Sequence, residues 1–394
     1  MCNKYEDDKI GKLVIIANDY PAHNHMRLVF VQQLVEAMVE EGTRVSVIAP
    51  QSISHALVHK EKLLPREAYY ITPKGIGYEV YRPYIITLGN RNFLSGGLNL
   101  LNNAIISRIL KKVRPSTLYA HFWSSALFVA PYARKKKIPL FVACGEGDNA
   151  IEEMIKALSI TELNNLSKIV TGVVSVSSEN KRRCIAYNLA ESDIIGVFPN
   201  CVDTELFKPI EKKDCRAVLG ISNNDFVIAF VGGFIPRKGP DKLAKAISEI
   251  NDPSIKVFFI GKEFPGYPFY FDCPGVILKE SIDHNKLNVY LGAADIFVLP
   301  TQNEGCSNAI VEALAMGLPV ISSEGAFNDD ILDEYNSIRV DPNDVNSIKE
   351  AILKLKGNPI LLEQMRLYSL SKHNSYSVRG RAKRIIAFIR EKLS

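Results

Sequence analysis

No uninterrupted apolar run in this chain approaches the ~18 residues that a membrane-spanning helix needs, so an integral membrane protein is not expected. The seven cysteines (2, 144, 184, 201, 215, 273 and 306) are scattered and include no CxxC pair. That excludes a disulfide scaffold and a cysteine zinc site, and it suits a reducing compartment. The stretch Met1-Cys-Asn-Lys-Tyr-Glu-Asp-Asp-Lys9 has no apolar core of the kind a secretion signal carries. A cytoplasmic protein is the expectation. The basic runs lack interleaved aromatics and no nucleic-acid-binding motif occurs, so no nucleic acid partner is expected. Nor does one sign of charge dominate, with 48 Lys and Arg against 43 Asp and Glu.

The 394 residues, 47% of them hydrophobic and 23% charged, are too many for one ordinary core, and two domains are the default. The charge is unevenly placed. Residues 1–200 hold 24 basic and 18 acidic side chains, whereas residues 201–394 hold 24 and 25. Six of those 24 basic residues fall in the last 19 positions beside one acid. If that tail docks on the first domain, one lobe is basic and the other acidic, and a basic lobe can approach anionic headgroups or an anionic acceptor.

Short β-branched runs alternate with helical patterns. Strands are predicted at Leu13–Ala17, Val45–Ala49, Glu79–Leu88, Leu118–His121, Leu140–Cys144, Val173–Val176 and Ile195–Phe198. A second series comprises Phe226–Gly232, Lys256–Ile260, Val276–Leu278, Ile296–Leu299 and Pro319–Ser322. Helices are predicted near 26–41, 98–113, 125–136, 151–166, 179–189, 240–250, 285–291 and 307–316. The apolar spacing of Val378, Ala382, Ile385, Ile386, Ile389 and Leu393 makes the tail an amphipathic helix. Such alternation argues for parallel sheets covered on both faces. The two series meet near residues 199–219, and ligands of such sheets bind at the carboxyl ends of the strands.

One segment carries the most chemistry: Pro300-Thr-Gln-Asn-Glu-Gly-Cys-Ser-Asn-Ala-Ile-Val-Glu-Ala-Leu-Ala-Met-Gly-Leu-Pro319. It reads as a strand end, a polar loop and a helix that is apolar from Ala309 to Met316 except at Glu312. A lone carboxylate there loses hydration at a cost of several kcal/mol unless a group from outside the helix compensates it. Neutral hydroxyls suit an ionised acceptor. The amides of Gly305, Cys306, Ser307 and Asn308 open the helix and make an anion site. Phosphate at the helix start and hydroxyls one to two turns along describe a nucleotide sugar. The plainer reading is a surface glutamate on an ordinary helix.

The second domain opens with Phe230-Val-Gly-Gly-Phe-Ile-Pro-Arg-Lys-Gly-Pro240. Gly232 and Gly233 allow close backbone approach, and Pro240 suits a first helical position. Arg237 and Lys238 suit a diphosphate and the negative charge that grows as it departs. Taken with Glu304 and Glu312, which have seven residues between them, this loop resembles the retaining GT-B glycosyltransferases, specifically the bacterial nucleotide-sugar transferases of family 4. Val197-Phe-Pro-Asn-Cys-Val-Asp-Thr-Glu-Leu-Phe-Lys-Pro209 resembles that family's hinge, and Ala293-Ala-Asp-Ile-Phe-Val-Leu-Pro300 resembles its AD-x-x-V-x-P strand.

The resemblance implies an α/β fold of two Rossmann-like domains facing a cleft. Residues 1–198 would form the acceptor domain, joined by a C-terminal helix over 376–394, and residues 199–375 the donor domain. It further implies that Arg237 and Lys238 bind the donor diphosphate, Glu312 the ribose hydroxyls and Glu304 the donor sugar, with the Cys306–Asn308 amides near sugar or phosphate. The implied reaction transfers a sugar, with retention, to a polysaccharide or lipid-linked glycan at the inner membrane face. No metal or other cofactor is implied.

Departures from the family pattern fall mainly in the first half. Cys201 replaces a hinge glycine and would be strained if its φ were positive. Ala143-Cys-Gly-Glu-Gly-Asp-Asn149 replaces an H-G-S-D-like stretch, so Cys144 stands for the histidine while Asp148 matches. His121 is the substitute catalytic candidate, and His23, His25 and Asp148 are acceptor-side candidates, none of them a metal ligand. Trp123 can stack on a sugar, but burial is the commoner fate, and Asp329 and Asp330 are read as opening a helix. Two other readings stand beside this one: a degenerate glycan-binding subunit without activity, and a nucleotide-sugar epimerase.

Overall fold

The computed structural model describes residues 9–22, 28–87, 96–146, 148–263 and 269–394. The chain divides into two compact units: unit 1 takes residues 1–198 and 379–394, and unit 2 takes residues 199–378.

In unit 1 the strands are β1 (Lys12–Ile16), β2 (Arg44–Ile48), β3 (Gln51–Ser52), β4 (Glu67–Ile71), β5 (Gly77–Tyr81), β6 (Tyr84–Ile85), β7 (Thr117–His121), β8 (Leu140–Cys144), β9 (Val170–Ser175) and β10 (Ile195–Val197). Eight of them form one sheet in the order β10-β9-β8-β7-β1-β2-β5-β4. It is parallel except for β4, which pairs antiparallel with β5. The short β3 and β6 make a separate pair. β7 and β8 are buried at every position, as strands covered on both faces must be.

The helix Val378–Lys392 closes this unit, burying Ala382, Ile385, Ile386 and Ile389. Its Phe388 ring lies 5.3 Å from that of Phe198 and 6.3 Å from that of Phe141. Gly172 and Gly196 face the same ring: a Cβ at either would lie 3.2 Å from Phe388, and closer still to Phe141 at 2.8 Å or to Phe198. Buried Arg381 donates to the Phe198 carbonyl oxygen at 3.2 Å.

Unit 2 holds β11 (Phe226–Val231), β12 (Ile255–Ile260), β13 (Val276–Glu280), β14 (Ile296–Leu299), β15 (Val320–Ser323) and β16 (Ser337–Val340). The all-parallel order is β13-β12-β11-β14-β15-β16. β11 supplies an apolar run at the centre. From it the chain moves outward through β12 and β13, then returns beside β11 as β14 and moves outward the other way. The reversal lies between β11 and β14, which is where open α/β sheets bind ligands.

Several local expectations need correction. The span 151–166 is two helices, Asp148–Ala157 and Ile160–Ser167, because Ser159 and Glu162 form a capping box that starts the second. The span 79–88 is broken into β5 and β6. Asp329 and Asp330 open no helix: they follow a 3-10 turn at Ala326–Asn328, and Asp329 pairs with Arg339 at 3.1 Å. Cys201 is not among the residues of positive φ, so no strain attends its replacement of glycine; it is buried, with Sγ 3.5 Å from the Pro199 carbonyl oxygen.

Candidate active site

The loops that leave β11 and β14 are bound to each other. Gly239, at φ +71°, lets the first loop turn, and a Cβ there would sit 2.6 Å from the Pro300 carbonyl oxygen. The Gln302 amide donates to the Arg237 carbonyl oxygen at 2.9 Å. The Arg237 guanidinium donates to the Asn303 carbonyl oxygen and stands 3.4 Å from Glu304. The Lys238 ammonium bonds the Glu304 carboxylate directly, 66 residues away in sequence. Thr301 Oγ1 donates to that carboxylate at 2.9 Å. Arg237, Lys238 and Glu304 thus form one cluster at the sheet's reversal point, with two cations on one acid. Lys238 and Glu304 are largely covered, while Arg237 is 44% exposed.

The helix Asn308–Ala315 starts beside this cluster, and the Ser307 side chain at its N-terminus does not cap it. The buried Asn308 Oδ1 has no partner. Asn200 fixes the start from the hinge side, its Nδ2 donating to the Cys306 carbonyl oxygen at 3.0 Å. Gly232 donates its amide to the Ile260 carbonyl oxygen at 2.9 Å, which fixes the glycine pair to β12.

Glu312 is not the surface glutamate of the plainer reading: it is 6% exposed, among buried Ile310, Val311, Ala313 and Leu314. The compensating group does come from outside the helix, but it is an imidazole: His284 Nε2 lies 2.9 Å from Glu312 Oε1. Burial pushes the Glu312 pKa up, with His284 opposing. The bond to Glu312 in turn pushes the His284 pKa up, against its own burial.

Asp295 of the AD-x-x-V-x-P strand does no chemistry here. Its carboxylate takes Arg216 and Lys212 at 2.7 Å each and the Val227 amide at 2.7 Å, tying β14 to β11 at their amino ends.

In unit 1 the sheet order reverses between β1 and β7. Asn18, just after β1, donates to Ser124 Oγ at 2.8 Å and accepts from Ser125 Oγ at 2.9 Å. His121 ends β7, 4% exposed, with Nδ1 unpartnered and its ring against Phe30 and Phe122. Burial, aided by the Arg381 charge, pushes its pKa down to about 3, so the ring is neutral and a weak base. Trp123 is fully buried. Cys144 is buried too, its Sγ 3.4 Å from that of Cys184, and it offers nothing to a substrate. His23 and His25 lie outside the described residues, as does the side chain of Asp148, although its position begins the helix Asp148–Ala157.

Glu146 went unnoticed in the sequence. It accepts from the Trp123 amide at 2.6 Å and the Gly145 amide at 3.0 Å, capping the helix Trp123–Lys136 from another loop. Burial outweighs these bonds and pushes its pKa up to about 7. Between an unfolded value of about 4.5 and about 7, the native protein holds a proton that the unfolded chain has lost, so this residue lowers stability as pH rises through that window. Glu146→Gln is therefore expected to flatten the decline in melting temperature across the window. An unchanged slope would show that Glu146 is ionised throughout.

Among the described residues no cluster of three His, Cys, Asp or Glu side chains is placed to hold a metal ion, and no helix is long and apolar enough to cross a membrane.

A family model described as "Glycosyl transferases group 1" matches residues 225–358, and one described as "Glycosyltransferase Family 4" matches residues 29–206. Among curated proteins, the chain is 27% identical over 273 residues to the UDP-Gal:alpha-D-GlcNAc-diphosphoundecaprenol alpha-1,3-galactosyltransferase of Escherichia coli, covering 64% of this chain and 70% of that one. It is 23% identical over 340 residues to a putative teichuronic acid biosynthesis glycosyltransferase of Bacillus subtilis, covering 84% and 85%. In fold it is similar to the sucrose-phosphate synthase of Thermosynechococcus elongatus, with TM-score 0.76, 17% identity and coverage of 97% and 98%. Anabaena HepE in complex with UDP gives TM-score 0.72 at 14% identity, covering 96% and 99%. Both are glycosyltransferases of the GT-B fold.

Proposed function

The chain belongs to the group 1 glycosyltransferases of family 4 type, and on that premise we propose that it transfers a sugar from a nucleotide-sugar donor to a polysaccharide or lipid-linked glycan, with retention of configuration. The observation that carries the reading is the meeting of Arg237, Lys238 and Glu304 at the reversal point of the unit 2 sheet, beside the helix that buries Glu312.

In this reading Arg237 and Lys238 hold the donor diphosphate, and Glu312 accepts from the ribose hydroxyls. Glu304, held in the same cluster by Lys238 and Thr301, reaches the donor sugar. Gly232, Gly233 and the amides of Gly305, Cys306, Ser307 and Asn308 line the approach. As the anomeric C–O bond breaks, the cations stabilise the charge on the departing diphosphate. The acceptor oxygen attacks from the same face and its proton passes to the leaving phosphate oxygen. Cationic side chains and a helix start do the work of a metal, so no metal cofactor is required.

His121 stays neutral, as a hydrogen-bonding group rather than a base, and His23, His25 and Asp148 serve the acceptor side. The undecaprenol-linked acceptor named for one relative, the teichuronic acid biosynthesis named for another, and the excess of basic residues in 1–200 support work at the inner membrane face. The test is a thermal-shift screen with UDP, GDP, ADP, CMP and their sugar conjugates. Ligand at 100 times Kd adds about 2.7 kcal/mol of stability. One nucleotide family should raise the melting temperature, and Arg237→Ala should abolish the shift. No shift with any of them would favour the degenerate subunit.

A further inference from the structure

The donor half contains a second ionisable group whose place the motifs do not explain. His284 begins a short turn, His284–Lys286, capped by Asp283, which accepts from the Asn285 amide at 3.0 Å. Its ring meets that of Phe207 edge to face, centroids 5.2 Å apart at 64°. Phe207 is 1% exposed, and the Leu206 carbonyl oxygen beside it accepts from Asn288 at 3.1 Å. The imidazole is therefore held from three sides: by its own turn, by the loop after the hinge, and by Glu312 on the helix Asn308–Ala315. Its side chain remains 43% exposed.

A buried carboxylate without a partner reverts to its neutral acid. The neutral acid keeps one oxygen as a donor and is a poorer acceptor for two hydroxyls. We propose that His284 is a positioning residue of the donor site: it keeps the Glu312 carboxylate ionised and aimed before the nucleotide arrives, leaving the second carboxylate oxygen to the ribose. This rests on the assignment of Glu312 to the ribose.

The charged groups around the pair are few. His284 feels Glu312, Asp283 of its own turn and Asp203 of the hinge loop, all of which favour the imidazolium. His373, in a turn following the helix Pro359–Ser371, is occupied by the Ala315 carbonyl oxygen at 2.9 Å. Burial favours the protonated form of Glu312, and the hydrogen bond and charge of His284 are what oppose it. Removing the imidazole leaves burial unopposed, so Glu312 takes up its proton at higher pH. Nucleotide affinity should then fail at higher pH on the acid side. As pH rises the protonated fraction of Glu312 falls in parent and variants alike, and the variants should converge on the parent.

The experiment measures the Kd of UDP by calorimetry, with GDP and ADP beside it, on the full chain and on His284→Gln, His284→Ala and Glu312→Gln, after melts confirm folding. Each is titrated from about pH 5.5 to about pH 8.5, which spans the ordinary range of histidine. We expect both His284 variants to bind roughly tenfold more weakly at about pH 6 and within about twofold of the parent at about pH 8.5. Profiles that run parallel to the parent's, or affinities unchanged throughout, overturn the inference. So does tighter binding, which would make the imidazole a competitor for the ribose place. If Glu312→Gln binds all three nucleotides as the parent does, or the parent binds none, the ribose assignment itself falls. If Glu312→Gln is weak while the His284 variants match the parent, only the present inference falls.

Discussion

Lys238→Ala is expected to lower kcat/KM for sugar transfer by a factor of about 100 to 1,000, the range found when one preorganised electrostatic contact to a transition state is removed. Two effects combine. On the proposed reading, the ammonium that meets the charge on the leaving diphosphate is gone. The Glu304 carboxylate, only 12% exposed, also loses its nearest cation and keeps Arg237 at 3.4 Å and Thr301 at 2.9 Å. A carboxylate half-stripped of its counter-charges repels the phosphates it stands beside. Lys238→Arg keeps the charge and should lose less, though its planar fork cannot reproduce a compact ammonium. The measurement is transfer of labelled sugar under kcat/KM conditions, with nucleotide Kd determined separately. Unchanged kcat/KM in a folded Lys238→Ala protein would remove the cluster from the reaction.

Glu312→Ala is expected to weaken nucleotide binding about 100-fold while the melting temperature moves little. Hydrogen bonds to a charged acceptor are worth about 1.5–3 kcal/mol each, and the ribose offers two hydroxyls. Stability is nearly indifferent because two changes oppose. The variant relieves a desolvated carboxylate, whose raised pKa records the cost of charging it there, and it loses buried apolar side-chain surface, at about 0.8 kcal/mol per methylene. Calorimetry with UDP, GDP and ADP, together with a melt, checks both halves. Normal affinity would free Glu312 from the ribose.

The strands that face helices on both sides were legible because burial on both faces demands unbroken apolar runs: Leu140–Cys144 and Ile296–Leu299 stand where their composition puts them. β4 was missed because Glu67–Ile71 is an exposed edge whose residues alternate between covered and exposed, and β16 because Ser337 and Arg339 interrupt its apolar pattern. The division at Ser159 was available in the sequence as a serine followed three residues later by a glutamate, a local signal that periodicity overrode. In the site, Arg237, Lys238 and Glu304 were legible as types at spacings, and the structure joins them through contacts that span 66 residues. His284 was not. Nothing in Ser281-Ile-Asp-His284 marks it, and its meaning arises only when the turn after β13 folds against a helix 28 residues away in sequence. Glu146 and Asn18 are likewise ordinary polar residues until two strand ends bring them to a helix start.

The helix that completes unit 1 is separated from the rest of that unit by all of unit 2. During synthesis the ribosome therefore delivers unit 2 as one continuous stretch, able to bury its core as it emerges, while the surface around Phe141, Gly172, Gly196 and Phe198 waits for Phe388 and its neighbours. The portion made first is the last to be finished. Its apolar seam stays uncovered until residues 379–394 are translated.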